Sequence, residues 1–271
     1  MQPSSGAGDE SVANEQSVVN RLRRHIVLAT LSIGDGHIAS SFSILDILWV
    51  LYERVLRIEP WNPKNDTRDR FILSKGHGAL ALYAVLSEKG FFPASELERF
   101  AAFDSTLGGH PDCNKVPGIE ASTGSLGHGL PMGVGMAMGM RIRKIDRHVF
   151  VLVGDGECNE GSIWESVLLA AHHRLSNLTC IVDYNHSTDR ALLLGDIASK
   201  FAAFGWATVS IDGHDHDAIN DALVRSSTNR PIAIIAETVK GHGCKRMENN
   251  PAWHHRAPAQ DELSAILEEL G

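Results

Sequence analysis

The chain has 271 residues, a formal net charge of −8 and 43 % apolar residues, long enough to bury the core of one large α/β domain. Its lysines and arginines are scattered apart from Arg21, Arg23, Arg24 and Arg141, Arg143, Lys144, which fit solvated helix faces, so nucleic acid is not an expected partner. The four cysteines show no paired C-x-x-C spacing and no apolar run approaches membrane length, which argues against a zinc site, a disulfide framework and a membrane span and fits a reducing cytoplasm.

Residues 1–13 are Gly/Ser/acidic without an apolar core, so a disordered tail without a signal peptide is expected, followed by a single domain over 14–271. Helical spacing begins near Asn14, with Val18, Leu22, Ile26 and Ala29 on one face, and stops at Gly34-Asp35-Gly36-His37. Ser43 with Asp46 predicts the capped start of a second helix, apolar nearly all round and therefore buried. His37, between the two, is a loop histidine or a polar group held at a site mouth.

Arg68 to Ser74 reads as a charged lead into a short strand, and Lys75-Gly76-His77-Gly78 puts a histidine between glycines ahead of a helix over Ala79 to Leu86. The segment from Asp104 to Gly129 is too long for a plain connector and predicts functional loops around His110 and Thr123-Gly124-Ser125-Leu126-Gly127. A helix of small residues follows through Met132 and Met140.

Val149 to Val153 is an unbroken apolar run that ends in Gly154-Asp155-Gly156, as a buried parallel strand entering a tight turn would. A helix with a Ser162/Glu165 capping box comes next, then a strand over Leu178 to Val182 that ends in Asp183-Tyr184-Asn185-His186-Ser187. Asp155 and Asn185 thus project from the carboxyl ends of consecutive strands, where open parallel sheets bind ligands. A carboxylate, an amide oxygen and a loop carbonyl are hard donors suited to Mg²⁺ and the phosphates it bridges. Gly154 and Gly156 let the backbone approach phosphate oxygens. Two more strands, Ala207 to Ile211 and Pro231 to Ala236, end in Asp212-Gly213-His214-Asp215 and Glu237-Thr238-Val239-Lys240-Gly241-His242-Gly243, with a helix from His216 to Ser226 between them. A polar loop, Asn249 to His255, precedes a last helix over Asp261 to Leu270. The expected fold class is α/β, a doubly wound, mainly parallel sheet with helices on both faces.

A GDG triplet followed thirty residues later by Asn resembles the thiamine diphosphate fingerprint. With Gly36-His37, Leu73 to Gly78, Gly109-His110-Pro111, Thr123 to Gly127, Asp212 to Asp215 and Lys240 to Gly243, the chain resembles the diphosphate-binding half of transketolase from about Asn14 onward. Met247 to His254 is similar to the form of that enzyme made as two chains. The resemblance implies that Asp155, Asn185 and the Ser187 carbonyl bind Mg²⁺, or Ca²⁺ or Mn²⁺ in its place. It implies that His77, Gly124, Ser125, Leu126, Gly154, Gly156, Glu157, Asn185 and His254 contact thiamine diphosphate, and that His37, His77, His110 and His254 are catalytic. Glu160 and Glu165 match acidic residues of the family's subunit contact.

The chain also departs from the family. The usual Gly-His-Pro-Gly is here Gly36-His37-Ile38-Ala39, and His254-His255 offers two candidates for one histidine, of which His254 is preferred because it follows Trp253. The family's activating glutamate and aromatic wall come from a second domain, which has no counterpart before Gly271. The resemblance therefore implies a C-terminal, pyrimidine-binding partner subunit in an α2β2 assembly that transfers a two-carbon ketol unit from a ketose, phosphorylated or similarly anionic, to an aldose. The alternatives are a subunit of a 2-oxo acid dehydrogenase, a deoxyxylulose phosphate synthase relative, or a non-catalytic assembly module.

Overall fold

The computed structural model describes residues 6–189, 191–225 and 229–271, those of 6–14 as backbone only. Five strands form one sheet: β1 (Arg70–Leu73), β2 (Val149–Gly154), β3 (Leu178–Tyr184), β4 (Ala207–Asp212) and β5 (Ile232–Glu237). Their order is β1-β2-β3-β5-β4 and every neighbouring pair is parallel.

Alternation along the strands sorts two cores. Phe150 and Leu152 of β2, with Ile181, Ile232 and Ile234, pack beneath α1 (Gly6–Ala29), α2 (Ile38–Val50), α3 (Ala79–Glu88), α7 (His216–Leu223) and α8 (Gln260–Glu269). Val149, Val151 and Val153, with Cys180, Val182 and Ile235, face α4 (Gly129–Ile142), α5 (Gly161–His172) and α6 (Ile197–Ala203). A one-residue slip would move every one of these side chains to the wrong layer, so the register is firmly specified. The doubly wound architecture read from the sequence is the one observed. Among the described residues no helix is long and apolar enough to cross a membrane. Of the four free cysteines, Cys158, Cys180 and Cys244 are buried and Cys113 is exposed.

Several expectations need correction. Helix α1 starts at Gly6 rather than near Asn14, and residues 1–5 of the tail expected over 1–13 lie outside the described ones. No proline interrupts residues 6–15, and a nucleated helix propagates through them. Helix α2 starts at Ile38, and Ser43 and Asp46 lie buried within it instead of capping it. The Ser43 hydroxyl donates to Asp183, and Asp46 accepts from Arg23, tertiary partners invisible to a local pattern. Helix α5 has no capping box either: Glu160 is its N-cap residue, without a side-chain bond, and the Ser162 hydroxyl donates to the Gly127 carbonyl. Helix α6, capped by Asp196, had no counterpart in the sequence reading.

Candidate active site

All five strands deliver loops to one edge of the sheet. Strand β2 ends in Gly154 and the chain turns at Asp155, which is buried and accepts from the Gly156 amide at 2.7 Å. The loop after β3 brings Asn185 and Ser187 across to it. The Ser187 amide lies 3.0 Å from Asp155 Oδ2 and 3.1 Å from Asn185 Oδ1, so one backbone N–H draws the two side-chain oxygens together. His186, between them, takes the left-handed conformation at φ 59°, which a non-glycine residue adopts only when held. Its ring is held on both sides, by Asp189 at 2.8 Å and Glu237 at 3.0 Å.

This donor set fits a hard divalent cation. Burial, and then the neighbouring Asp183 charge, push the Asp155 carboxyl above its ordinary range, against the nearby Lys75 charge, which acts the other way. Position 156 takes only glycine at this backbone, because a Cβ there would come within 2.5 Å of Thr188 Cγ2.

Four histidines gather at the other wall, with the His255 ring centroid 4.3 Å from that of His37. The His37 ring centroid is 5.2 Å from that of His77 and 5.4 Å from that of His254. His37 Nδ1 is 2.9 Å from the His254 carbonyl, which can only accept, so Nδ1 carries the proton and Nε2 keeps a free lone pair. Burial holds His37 down at about 4 and, with the nearby Lys75 charge, His77 at about 2, so both rings are neutral at physiological pH. Lys240 donates to His254 Nδ1 at 2.9 Å, and burial and Lys75 lower the Lys240 pKa. A cavity of about 340 Å³ lies between the loop after β3 and the segment around His254, lined by Asn185, Ser187, Lys240, Asn250 and His254 among others. His254 faces this cavity, whereas the His255 ring turns to Asp35 at 3.3 Å.

The remaining expected residues sit on the rim or behind it. The exposed His110 lies with its ring over Gly124. Thr123 donates to the Leu73 carbonyl at 2.6 Å, which ties the Gly124-Ser125-Leu126 turn to the end of β1, with Ser125 exposed and Leu126 half-buried. The side chain of Glu157, expected at the coenzyme, is spent elsewhere. Its carboxylate accepts from Ser74, from the Gly127 amide at 2.8 Å and from the Gly154 amide at 3.2 Å, a buried strut that joins three loops. Lys240 is the residue that sequence reasoning passed over; its signal was a lysine two positions past the Thr238 that follows β5, in the same glycine-histidine loop pattern as Lys75.

Residues 14–271 match the family model described as transketolase, thiamine diphosphate binding domain. The chain is 41 % identical over 254 residues to an apulose-4-phosphate transketolase subunit from Actinobacillus succinogenes, with 92 % of each chain covered. It is 47 % identical over 209 residues to a Rhodococcoides fascians protein named ferredoxin fas2, covering 76 % of this chain and 68 % of that one. Its own four cysteines are dispersed, and the only metal-capable cluster among the described residues, Asp46, His214 and His242, contains none of them. A solved transketolase of Pichia stipitis superposes with a TM-score of 0.87 at 27 % identity, covering 95 % of this chain but only 40 % of the other. The chain therefore spans about two fifths of that single-chain enzyme.

Proposed function

Because the chain belongs to the family of the transketolase thiamine diphosphate binding domain, we propose that it is the diphosphate-binding subunit of a two-chain enzyme moving a two-carbon ketol unit from a ketose to an aldose. One observation carries this reading: the Ser187 amide holds an oxygen of Asp155 and an oxygen of Asn185 together, and Asn185 and Ser187 line a cavity that His254 and Lys240 line as well. Asp155, Asn185 and the Ser187 carbonyl would hold Mg²⁺, with Ca²⁺ or Mn²⁺ as substitutes, and Gly154 and Gly156 would lie against the diphosphate. Bound there, thiamine diphosphate would supply the carbon-nucleophile chemistry that a two-carbon transfer needs.

The chain's own groups do the rest. Lys240 offsets diphosphate charge, and the neutral His77 lines the coenzyme without adding charge. His37 offers Nε2 to a substrate hydroxyl as a hydrogen-bond acceptor and base, and His110 stands at the rim for the same kind of group. An anionic ketose is the first substrate to assay, phosphorylated sugars before others.

We assign the family's activating glutamate to a partner subunit in an α2β2 assembly. A relative named as a subunit is covered over 92 % of its length, the single-chain enzyme over only 40 %. The exposed Glu160 and Glu165, beside Leu168 and Leu169 that stand 58 % and 44 % exposed on α5, form the face we give to the contact. The free cysteines fit a reducing cytoplasm. The test is to purify the chain with and without the product of its neighbouring reading frame and assay ketol transfer. Activity is expected only from the pair. Robust transfer by the isolated chain would refute the two-subunit claim, and CO₂ release from 2-oxo acids would replace the ketol reading.

A further inference from the structure

Asp183, near the end of β3, is fully buried directly beneath the Asp155–Asn185 pair. Four donors from four different segments converge on its carboxylate. Oδ2 accepts from Lys75 Nζ at 2.5 Å, from Asn185 Nδ2 at 2.9 Å and from the Ser43 hydroxyl at 3.0 Å, and Oδ1 accepts from the Thr238 hydroxyl at 2.5 Å. Lys75, itself 2 % exposed, supplies the compensating charge that such a buried carboxylate needs.

The consequence for Asn185 follows from donor and acceptor chemistry. An amide has one end that only donates and one that only accepts, and the two are nearly equal in shape, so nothing steric selects its orientation. An ionised carboxylate only accepts. Facing Asp183, Asn185 must present Nδ2, and the reversed amide would set oxygen against carboxylate on one side and N–H against the Ser187 N–H on the other. We propose that Asp183 is a positioning residue of the metal half-site: by accepting from Asn185 Nδ2 it keeps Asn185 Oδ1 turned toward Asp155, with Lys75 holding the lock in place.

This inference rests on the reading of Asp155 and Asn185 as metal ligands and is tested separately from it. Mn²⁺ is titrated calorimetrically into the full 271-residue chain with saturating thiamine diphosphate, for the parent, Asp155→Asn, Asp183→Asn and the exchange Asp183→Asn/Asn185→Asp. Asp183→Asn is expected to weaken Mn²⁺ binding at least about tenfold, the range typical of residues that orient metal ligands. The exchange is expected to recover most of that loss, because a carboxylate at position 185 has two equivalent oxygens and no wrong way round. A residue that merely supported the fold would not be rescued in this way. Where Asp183→Asn strands Lys75 and fails to fold, Lys75→Gln/Asp183→Asn, neutral as a pair, takes its place against Lys75→Gln/Asp183→Asn/Asn185→Asp. Parent-like Mn²⁺ affinity in the position-183 variant, or no recovery in the exchange, overturns the lock. Absence of Mn²⁺-dependent coenzyme binding in the parent overturns the cofactor reading instead.

Discussion

Among single residues, the buried histidines make one contribution to how the protein responds to acid. Burial holds His37, His148 and His242 down at about 4 and His77 at about 2, against an ordinary 6.5. Each binds fewer protons folded than unfolded between those values. The stability they confer is therefore complete above pH 6.5 and is lost as pH falls from there toward 4. His186 and His216, raised by acidic partners despite burial, act in the opposite sense but are fewer. Urea midpoints are expected to fall between pH 6.5 and 4.5, and His148→Gln, which keeps a polar partner for Thr179 but does not titrate, should make that slope shallower. Gly156→Ala should weaken thiamine diphosphate binding at least tenfold in Mg²⁺-containing buffer, measured calorimetrically, because its methyl needs the space Thr188 fills.

Between elements, close approach matters as much as burial. Helix α4 crosses β2 at Gly133, where a Cβ would collide with Val151 Cγ2. Gly133→Val should cost about 1–3 kcal/mol through overpacking. It should lower the thermal midpoint and, by pushing on β2, the Mg²⁺-dependent coenzyme affinity as well. The same scale shows what could be read from sequence. The strands were legible because buried parallel strands are continuous apolar runs such as Val149 to Val153, bounded by glycine and asparagine turns. Asp155 and Asn185 were legible because strand ends fix where a side chain emerges. Ser43, Asp46 and Ser162 were misread because a hydroxyl or carboxylate at a capping spacing looks the same whether its partner is the local backbone or a distant Asp183, Arg23 or Gly127. For a related reason, proximity to the GDG turn did not reveal that the Glu157 carboxylate bonds to Ser74 and to the Gly127 and Gly154 amides.

For the whole molecule, the sheet order β1-β2-β3-β5-β4 makes the site a meeting point rather than a local motif. Loops from β1, β2, β3 and β5 all contribute, so a ligand bound there joins segments from residue 37 to residue 254. A ligand that binds only the native state stabilises it by about 2.7 kcal/mol at a hundredfold excess over its Kd. For a chain of this size, that corresponds to a rise of about 5–10 °C in thermal midpoint with thiamine diphosphate and Mg²⁺ together. Scanning calorimetry with each component alone should give a much smaller rise, since metal and diphosphate depend on each other.

The sealed cysteines turn the protein into its own stopwatch. A thiol-reactive dye should tag Cys113 within its mixing time and leave Cys158, Cys180 and Cys244 unmodified, since burial keeps those three sulfurs from ionising. The slow phase that follows counts excursions in which one layer lifts off the sheet, and its deceleration by coenzyme would report, without any assay of turnover, how firmly the two walls are clasped.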